Sequence, residues 1–200
     1  MASIPVLKRV FVLSAKRIFI ELKGKEVLMM TKLKLMPDEL NNSINELLGS
    51  LFSANAVADN IVYQLENVYA MPKASDLFHH KYAHAFPAIA DTVNKIQILR
   101  GARGTRKPVA GSEMQFASVI SCFENMLSAV LEVEKKFCDT LDLCDELDEK
   151  AIRIFIENTY MDILPYTKQT LVWLDKAEQF GDDLTMFDAL FDTTIILEGI

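Results

Sequence analysis

Two hundred residues with 50% hydrophobic and 24% charged side chains, seven glycines and six prolines can bury a full core and exclude a disordered, collagen-like or low-complexity chain. The formal net charge of −7, from 28 acidic and 21 basic side chains, argues against a protein that wraps nucleic acid with its whole surface. The three cysteines, Cys122, Cys138 and Cys144, include no CxxC pair, which predicts buried thiols in a reducing compartment without a disulfide framework or structural zinc.

The charge is unevenly placed. Residues 1–36 carry eight Lys or Arg against two Glu, a net of +6, whereas residues 37–200 carry 13 against 26, a net of −13. The sequence therefore divides into a basic N-terminal extension, 1–36, and an acidic body, 37–200. Three readings stand for the extension: a basic tail for nucleic acid or an acidic membrane, an organelle-targeting leader, and an over-called start with translation beginning at Met29, Met30 or Met36. No apolar stretch is long enough for a membrane span, and no small-residue cleavage site follows the short apolar run Val10 to Ala15. A cytoplasmic location is expected.

From Pro37 the hydrophobic period is helical. Pro37, Asp38 and Glu39 read as a helix start, and Leu40, Ile44, Leu47, Leu51, Ala54, Ala58, Ile61, Leu65 and Val68 continue in steps of four and three. A second helix is expected over residues 75–99, with Phe78, Tyr82, Ala85, Ile89, Thr92, Ile96 and Leu99 inward. Pro87 should kink or restart it because it lacks an amide hydrogen. Residues 100–111, RGARGTRKPVAG, read as a loop. Ser112 and Gln115 have capping-box spacing for a third helix, whose stripe is Phe116, Ile120, Phe123, Leu127, Val130, Glu134, Phe137, Leu141 and Cys144. A fourth helix is expected over residues 147–180, with Ile152, Ile156, Thr159, Ile163, Tyr166, Thr170, Leu174 and Ala177 inward and Gly181 as its stop. A short fifth helix follows near residues 184–197.

The short links after the first and third helices predict antiparallel hairpins. The middle link of about 12 residues reaches about 40 Å when extended, the length of a long helix. It can span the bundle and set the second and third helices parallel. The expected fold is all-α: a four-helix bundle with one long crossover and a short fifth C-terminal helix.

The helix order, with INELLGSLFSANAV on the first helix, FHHKYAHAF and ADTVNKIQILRGARGTRKP on the second and FIENTYMDILPYTKQTL on the fourth, resembles the ferritin-like superfamily over about residues 37–198. The first helix and the start of the second are most similar to the Dps branch, the remainder to ferritin proper. The resemblance implies a hollow homo-oligomeric shell that oxidises and stores iron, with Dps-type members also shielding DNA.

A ferroxidase centre needs inward Glu side chains and a Glu-x-x-His pair. This sequence has no Glu-x-x-His; Phe86 and Ile89 stand at the matching place on the second helix, and Ile163 and Leu164 at the ligand position of the fourth. Glu134 matches the family's glutamate on the third helix, and reads either as a metal ligand or as a bundle-edge residue paired with a lysine or tyrosine of helix four. Of the Dps-type ligands, only His79 is matched; Val62-Tyr63 replaces the His-Trp pair, and Asp91 and Asn94 are the nearest to the acid pair. Independently of any family, His80 and His84 are spaced i, i+4 with Asp91 seven further on, one face of an uninterrupted helix. Two imidazoles and a carboxylate suit iron, zinc or nickel, completed by a neighbouring subunit; a solvent-facing histidine cluster without metal is the alternative. Asn55, Asp59 and Glu66 lie on a secondary face of the first helix and read as solvated or subunit-contacting.

Arg100, Arg103, Arg106 and Lys107 in the loop, together with residues 1–36, are the hint of DNA contact; a solvated crossover is the other reading. No Gly-rich phosphate loop, GxSxG elbow or nucleophile constellation is present. Two functions follow. One is an iron-binding and iron-storing shell with metal ligands drawn from Glu134, His79, His80, His84 and Asp91, and with Fe(II) oxidation at an atypical site. The other is a ferritin-fold structural or interaction protein that has lost its ferroxidase centre.

Overall fold

The computed structural model describes residues 19–22, 25–28, 35–109 and 113–191. By its contacts the chain divides into two units, Met1–Leu35 and Met36–Ile200. In the first, strands β1 (Phe19–Leu22) and β2 (Lys25–Leu28) pair antiparallel, with Phe19 opposite Leu28 and Leu22 opposite Lys25, a hairpin that the charge pattern of this segment does not predict. The expectations for residues 1–18, 23–24 and 29–34, and for residues 192–200, lie outside the described residues.

In the second unit the first arm is α1 (Asp38–Asn67), started by Pro37 with Asp38 and Glu39 in its first turn. These acids face the positive end of the helix dipole. Leu40, Ile44, Leu47, Leu51, Ala54, Ala58, Ile61 and Leu65 are all fully buried, as the alternating spacing predicted; Val68 lies past the helix end and is exposed.

The second arm starts at Pro72, three residues before the expected Ser75, and has three parts: α2 (Pro72–Leu77), a π-helical turn over Phe78–Ala83 and α3 (Ala85–Leu99). Pro87 explains the interruption. It has no N–H for the carbonyl of Ala83, four residues back, and its ring crowds that turn. Asn55 Nδ2 on α1 donates to that carbonyl instead, at 3.0 Å. The wider π turn shifts the inward face by one position. Beyond it Phe86, Ala90, Val93 and Gln97 are buried, whereas Leu99, expected inward, is 70% exposed.

The third arm is α4 (Val119–Glu146). Its capping box is formed by Ser118 and Ser121, each side chain accepting from the other's backbone N–H at 2.9–3.0 Å. The helix thus starts later than the expected Ser112–Gln115 box, of which Ser112 lies outside the described residues, and the crossover is longer. The buried row Val119, Cys122, Met126, Val133 and Thr140 shares the core with Phe123, Val130, Phe137 and Cys144. The centre of the face therefore lies off the expected stripe, and Ile120, Leu127, Glu134 and Leu141 fall at its half-buried flank. Cys122 and Cys144 are buried as expected; Cys138 is exposed, and all three thiols are free.

The fourth arm, expected continuous, is α5 (Lys150–Tyr160) and α6 (Leu164–Phe180), broken at residues 161–163. Pro165 causes the break, since it cannot donate to the carbonyl of Met161. Gly181, at φ +54°, stops α6. Then α7 (Leu184–Ala189) buries Phe187, with Phe191 after it, against Trp173 and Phe123. The Asp188 carboxylate accepts from the backbone N–H of Ala74 at 2.9 Å and of Lys73 at 3.4 Å, capping α2.

Hydrogen bonds fix the directions of the arms. Asn45 of α1 meets Gln97 near the end of α3, and Asn55 meets Ala83, so the first two arms are antiparallel. Gln64 meets Phe116 just before α4, while Ser43 meets Thr140 near its end, so α4 also opposes α1. The second and third arms are therefore parallel, and the crossover runs the length of α1. Side chains of α1 satisfy its backbone: Asn41 holds the carbonyl of Arg103, Asn45 the N–H of Thr105, Asn60 the N–H of Met114, and Gln64 both Met114 and Phe116. An extended segment supplies none of these partners itself. Among the described residues no helix is long and apolar enough to cross a membrane.

Candidate functional site

The bundle interior is aromatic where the resemblance implies a metal centre. Phe86, Ile89 and Ile163 are buried there, and Leu164 is half-turned to solvent at 36% exposure. Tyr166 packs edge-on to Tyr82 and tilted against Phe86, with ring centres 5.4 and 5.8 Å apart. The Tyr82 hydroxyl shares a 3.0 Å hydrogen bond with Thr170, and burial pushes its pKa far up. Phenyl, alkyl and neutral hydroxyl groups are poor ligands for a hard dication, which requires carboxylate and imidazole donors. The residues present do not fit a dinuclear iron centre.

Glu134 stands half-buried at the flank of this region. Thr167 donates its hydroxyl to one carboxylate oxygen, and Tyr160 donates to the other at 3.4 Å. Cys138 Sγ lies 3.9 Å from the same phenol, and Phe137 stacks on the Tyr160 ring. Tyr160 is raised to about 12, first by desolvation and then by the hydrogen bond with Cys138 and the negative charge of Glu134. A half-buried carboxylate is here accommodated by two neutral donors.

All three histidines are exposed and cluster on the second arm. The π turn brings His79 and His84, five residues apart, to a ring-centre separation of 4.5 Å; His79 to His80 is 5.0 Å and His80 to His84 is 5.7 Å. His80 Nδ1 lies 3.0 Å from both the Asp76 carbonyl and the Asp76 carboxylate. On α1, partial desolvation raises the Asp59 carboxyl above its ordinary value, while His79, the Asn55 amide and His84 pull it down. Asn55 Nδ2 is 3.2 Å from Asp59. Asp91, expected on the His80–His84 face, instead pairs with Arg106 of the crossover at 4.0 Å. The structure thus gathers His79, His80 and His84 and keeps Asp91 and Glu134 apart from them. Asp59 and Asp76 were not part of the expected ligand set: Asp76 carried a local signal, i, i+4 before His80, whereas Asp59 is placed by packing alone. Among the described residues no group of three or more His, Cys, Asp or Glu side chains is placed so that it could hold a metal ion.

Three of the four crossover cations, Arg100, Arg106 and Lys107, have partners within the chain. Arg100 pairs with Glu149 at 2.8 Å, Lys107 pairs with Glu46, and Arg106 lies 4.3 Å over the Phe52 ring in addition to Asp91. A cation held this way is less available to a phosphate.

Four arms, the second and third parallel through one long crossover, with a short terminal helix closing one end, make an all-α ferritin-like fold. Two solved ferritin structures from Archaeoglobus fulgidus are similar to it. A novel open pore ferritin from this hyperthermophilic archaeon superposes with a TM-score of 0.73 at 12% identity, over 81% of this chain and 98% of that one. A closed form of the ferritin engineered by site-directed mutagenesis gives 0.72 at 12% identity, over 78% and 96%. No protein-family model matches the sequence, and no curated protein does.

Proposed function

We propose that this chain is the subunit of a homo-oligomeric ferritin-type shell that holds iron as cargo without a dinuclear oxidation centre inside each bundle. The likeness in fold to the Archaeoglobus ferritins supports the shell. Large apolar side chains left on the surface, Tyr63 at 63%, Ile98 at 65% and Leu99 at 70% exposure, support self-association. The observation that carries the second half is the packing of Tyr82, Phe86 and Tyr166 where carboxylate and imidazole ligands would stand. An acidic body, net −13 over residues 37–200, draws Fe(II) by its field without a catalytic site.

The test is iron per chain in the size-exclusion peak after aerobic Fe(II) addition. Storage predicts iron well beyond one or two ions per chain eluting with a large assembly, and no rapid stoichiometric burst of oxygen consumption. A second reading, an assembly subunit with no iron chemistry, is favoured by Glu134, whose carboxylate is already engaged by Thr167 and Tyr160. A large iron-free assembly selects it, and a small iron-free species overturns both.

A further inference from the structure

We propose that the outward face of α4 between Glu124 and Lys135 is a two-fold contact, on which α4 of a second copy of this chain packs antiparallel. Glu124, Ser128, Leu131 and Lys135 follow one another in steps of four, three and four, so they form one row along the helix. All four are exposed, Leu131 at 47%. With Leu127, and with Leu174 from α6, they line a shallow groove of about 480 Å³. The groove is apolar in its middle, and its row begins with a carboxylate and ends with an ammonium group.

This row is complementary to itself. A two-fold axis crossing α4 midway between Glu124 and Lys135 sets each residue of one copy against the residue equally far beyond the midpoint in the other, the geometry of an isologous contact. Glu124 then faces Lys135 of the partner subunit, and Lys135 faces Glu124 of the partner subunit. At the centre the bulky Leu131 meets the small Ser128 of the partner subunit, a knob against a hole, and the pair occurs twice. Parallel packing would instead set Glu124 on Glu124 and Lys135 on Lys135, which like charge disfavours. Among the described residues neither Glu124 nor Lys135 has an ion pair within the chain, whereas Glu132, the third charge on the groove, is paired with Lys136 at 3.5 Å. The two groove charges left over are therefore of opposite sign and sit at the positions that the axis exchanges. The inference rests on the self-association proposed above, to which it assigns one contact, and on no iron chemistry.

Sedimentation velocity of the full chain and its charge variants tests the contact. Glu124→Lys and Lys135→Glu each set like charges together at both ends and should weaken self-association by about tenfold or more, most at low salt. A one-to-one mixture of the two variants regains both opposite-charge pairs in a mixed dimer, and the double variant regains them in a homodimer. Both should return to within about twofold of the parent. Leu131→Asp should break the contact in either background. All of these positions are exposed, and circular dichroism of each variant verifies its fold. Single variants that assemble like the parent, or a mixture that fails to recover, would overturn the proposal and leave a shell built on other faces standing. A parent chain that stops at a dimer, split by the variants and rejoined in the mixture, would support the contact and overturn the shell; a monomeric parent would overturn both.

Discussion

Asn55 on α1 donates its side-chain N–H to the carbonyl of Ala83 at 3.0 Å, the acceptor that Pro87 leaves without a helical partner. One tertiary hydrogen bond thus stabilises the irregular turn that brings His79 beside His84. Asn55→Ala strands the carbonyl and should cost about 1–2 kcal/mol, the range for an unmade buried hydrogen bond, read as a fall in urea midpoint. In a Pro87→Ala background the restored amide serves the same carbonyl, so the penalty should shrink. A double-mutant cycle showing additive losses would disprove the link between the two residues.

Asp188 ties the terminal helix to the start of the second arm. Its carboxylate, only 9% exposed, accepts from Ala74 N–H at 2.9 Å and Lys73 N–H at 3.4 Å, so α7 supplies the cap that α2 lacks from its own side chains. Asp188→Ala should cost about 1–2 kcal/mol. Hydrogen exchange should speed up in both α2 and α7; acceleration in α7 alone would show that the cap contributes nothing to α2.

Alkaline pH should destabilise the bundle through Cys122, Cys144 and Tyr160. Burial raises Cys122 from an ordinary 9.0 to about 12 and Cys144 to about 11, and it leads the rise of Tyr160 from 10.0 to about 12. Between those limits the unfolded chain has released protons that the folded chain still holds, so stability falls as pH rises. The contribution is complete below the ordinary values and is lost by about pH 12. Urea midpoints measured from neutral pH to about pH 11 should decline. Cys122→Ala, which opens a small cavity, should lower the neutral-pH midpoint yet flatten the decline.

Most of α1 was legible because its apolar residues keep one period from Leu40 to Leu65 and nothing interrupts it. The second arm was legible as far as Tyr82, and beyond it at Ile89 and Ile96, which are buried as the stripe predicts, though at the margin of a face now centred on Phe86, Ala90, Val93 and Gln97. A stripe extended at 3.6 residues per turn cannot register the residue added by a π turn, so it puts Leu99 inward, whereas Leu99 is 70% exposed and Gln97 is fully buried. Its amide nitrogen bonds to Asn41 and Asn45, contacts invisible to periodicity. The break at Pro165 was masked because Ile163, Thr170 and Ala177 continue the buried row through it. The histidine group could be read locally, since its members lie within six residues of sequence. Asp59 is brought beside it by tertiary packing, and Glu134 was put on a core stripe that the helix face actually carries one position away.

Glu134 supplies the sharpest separation between an oxidation centre and a shell without one. Its carboxylate already accepts from Thr167 and from Tyr160 at 3.4 Å, and no imidazole lies in that hydrogen-bonded group. Glu134→Gln removes the charge while keeping an oxygen for Thr167. Iron per chain after aerobic loading should therefore remain within the scatter of the parent protein, whereas loss of a metal ligand would lower it severalfold. The same substitution should lower the pKa of Tyr160 from about 12, because the negative neighbour that opposes tyrosinate is gone. A spectroscopic tyrosine titration registers that shift even if the protein takes up no iron. A lowered phenol pKa with unchanged loading places Glu134 in the hydrogen-bonding of the α4–α6 contact; unchanged tyrosine titration with reduced loading would restore it as a metal ligand.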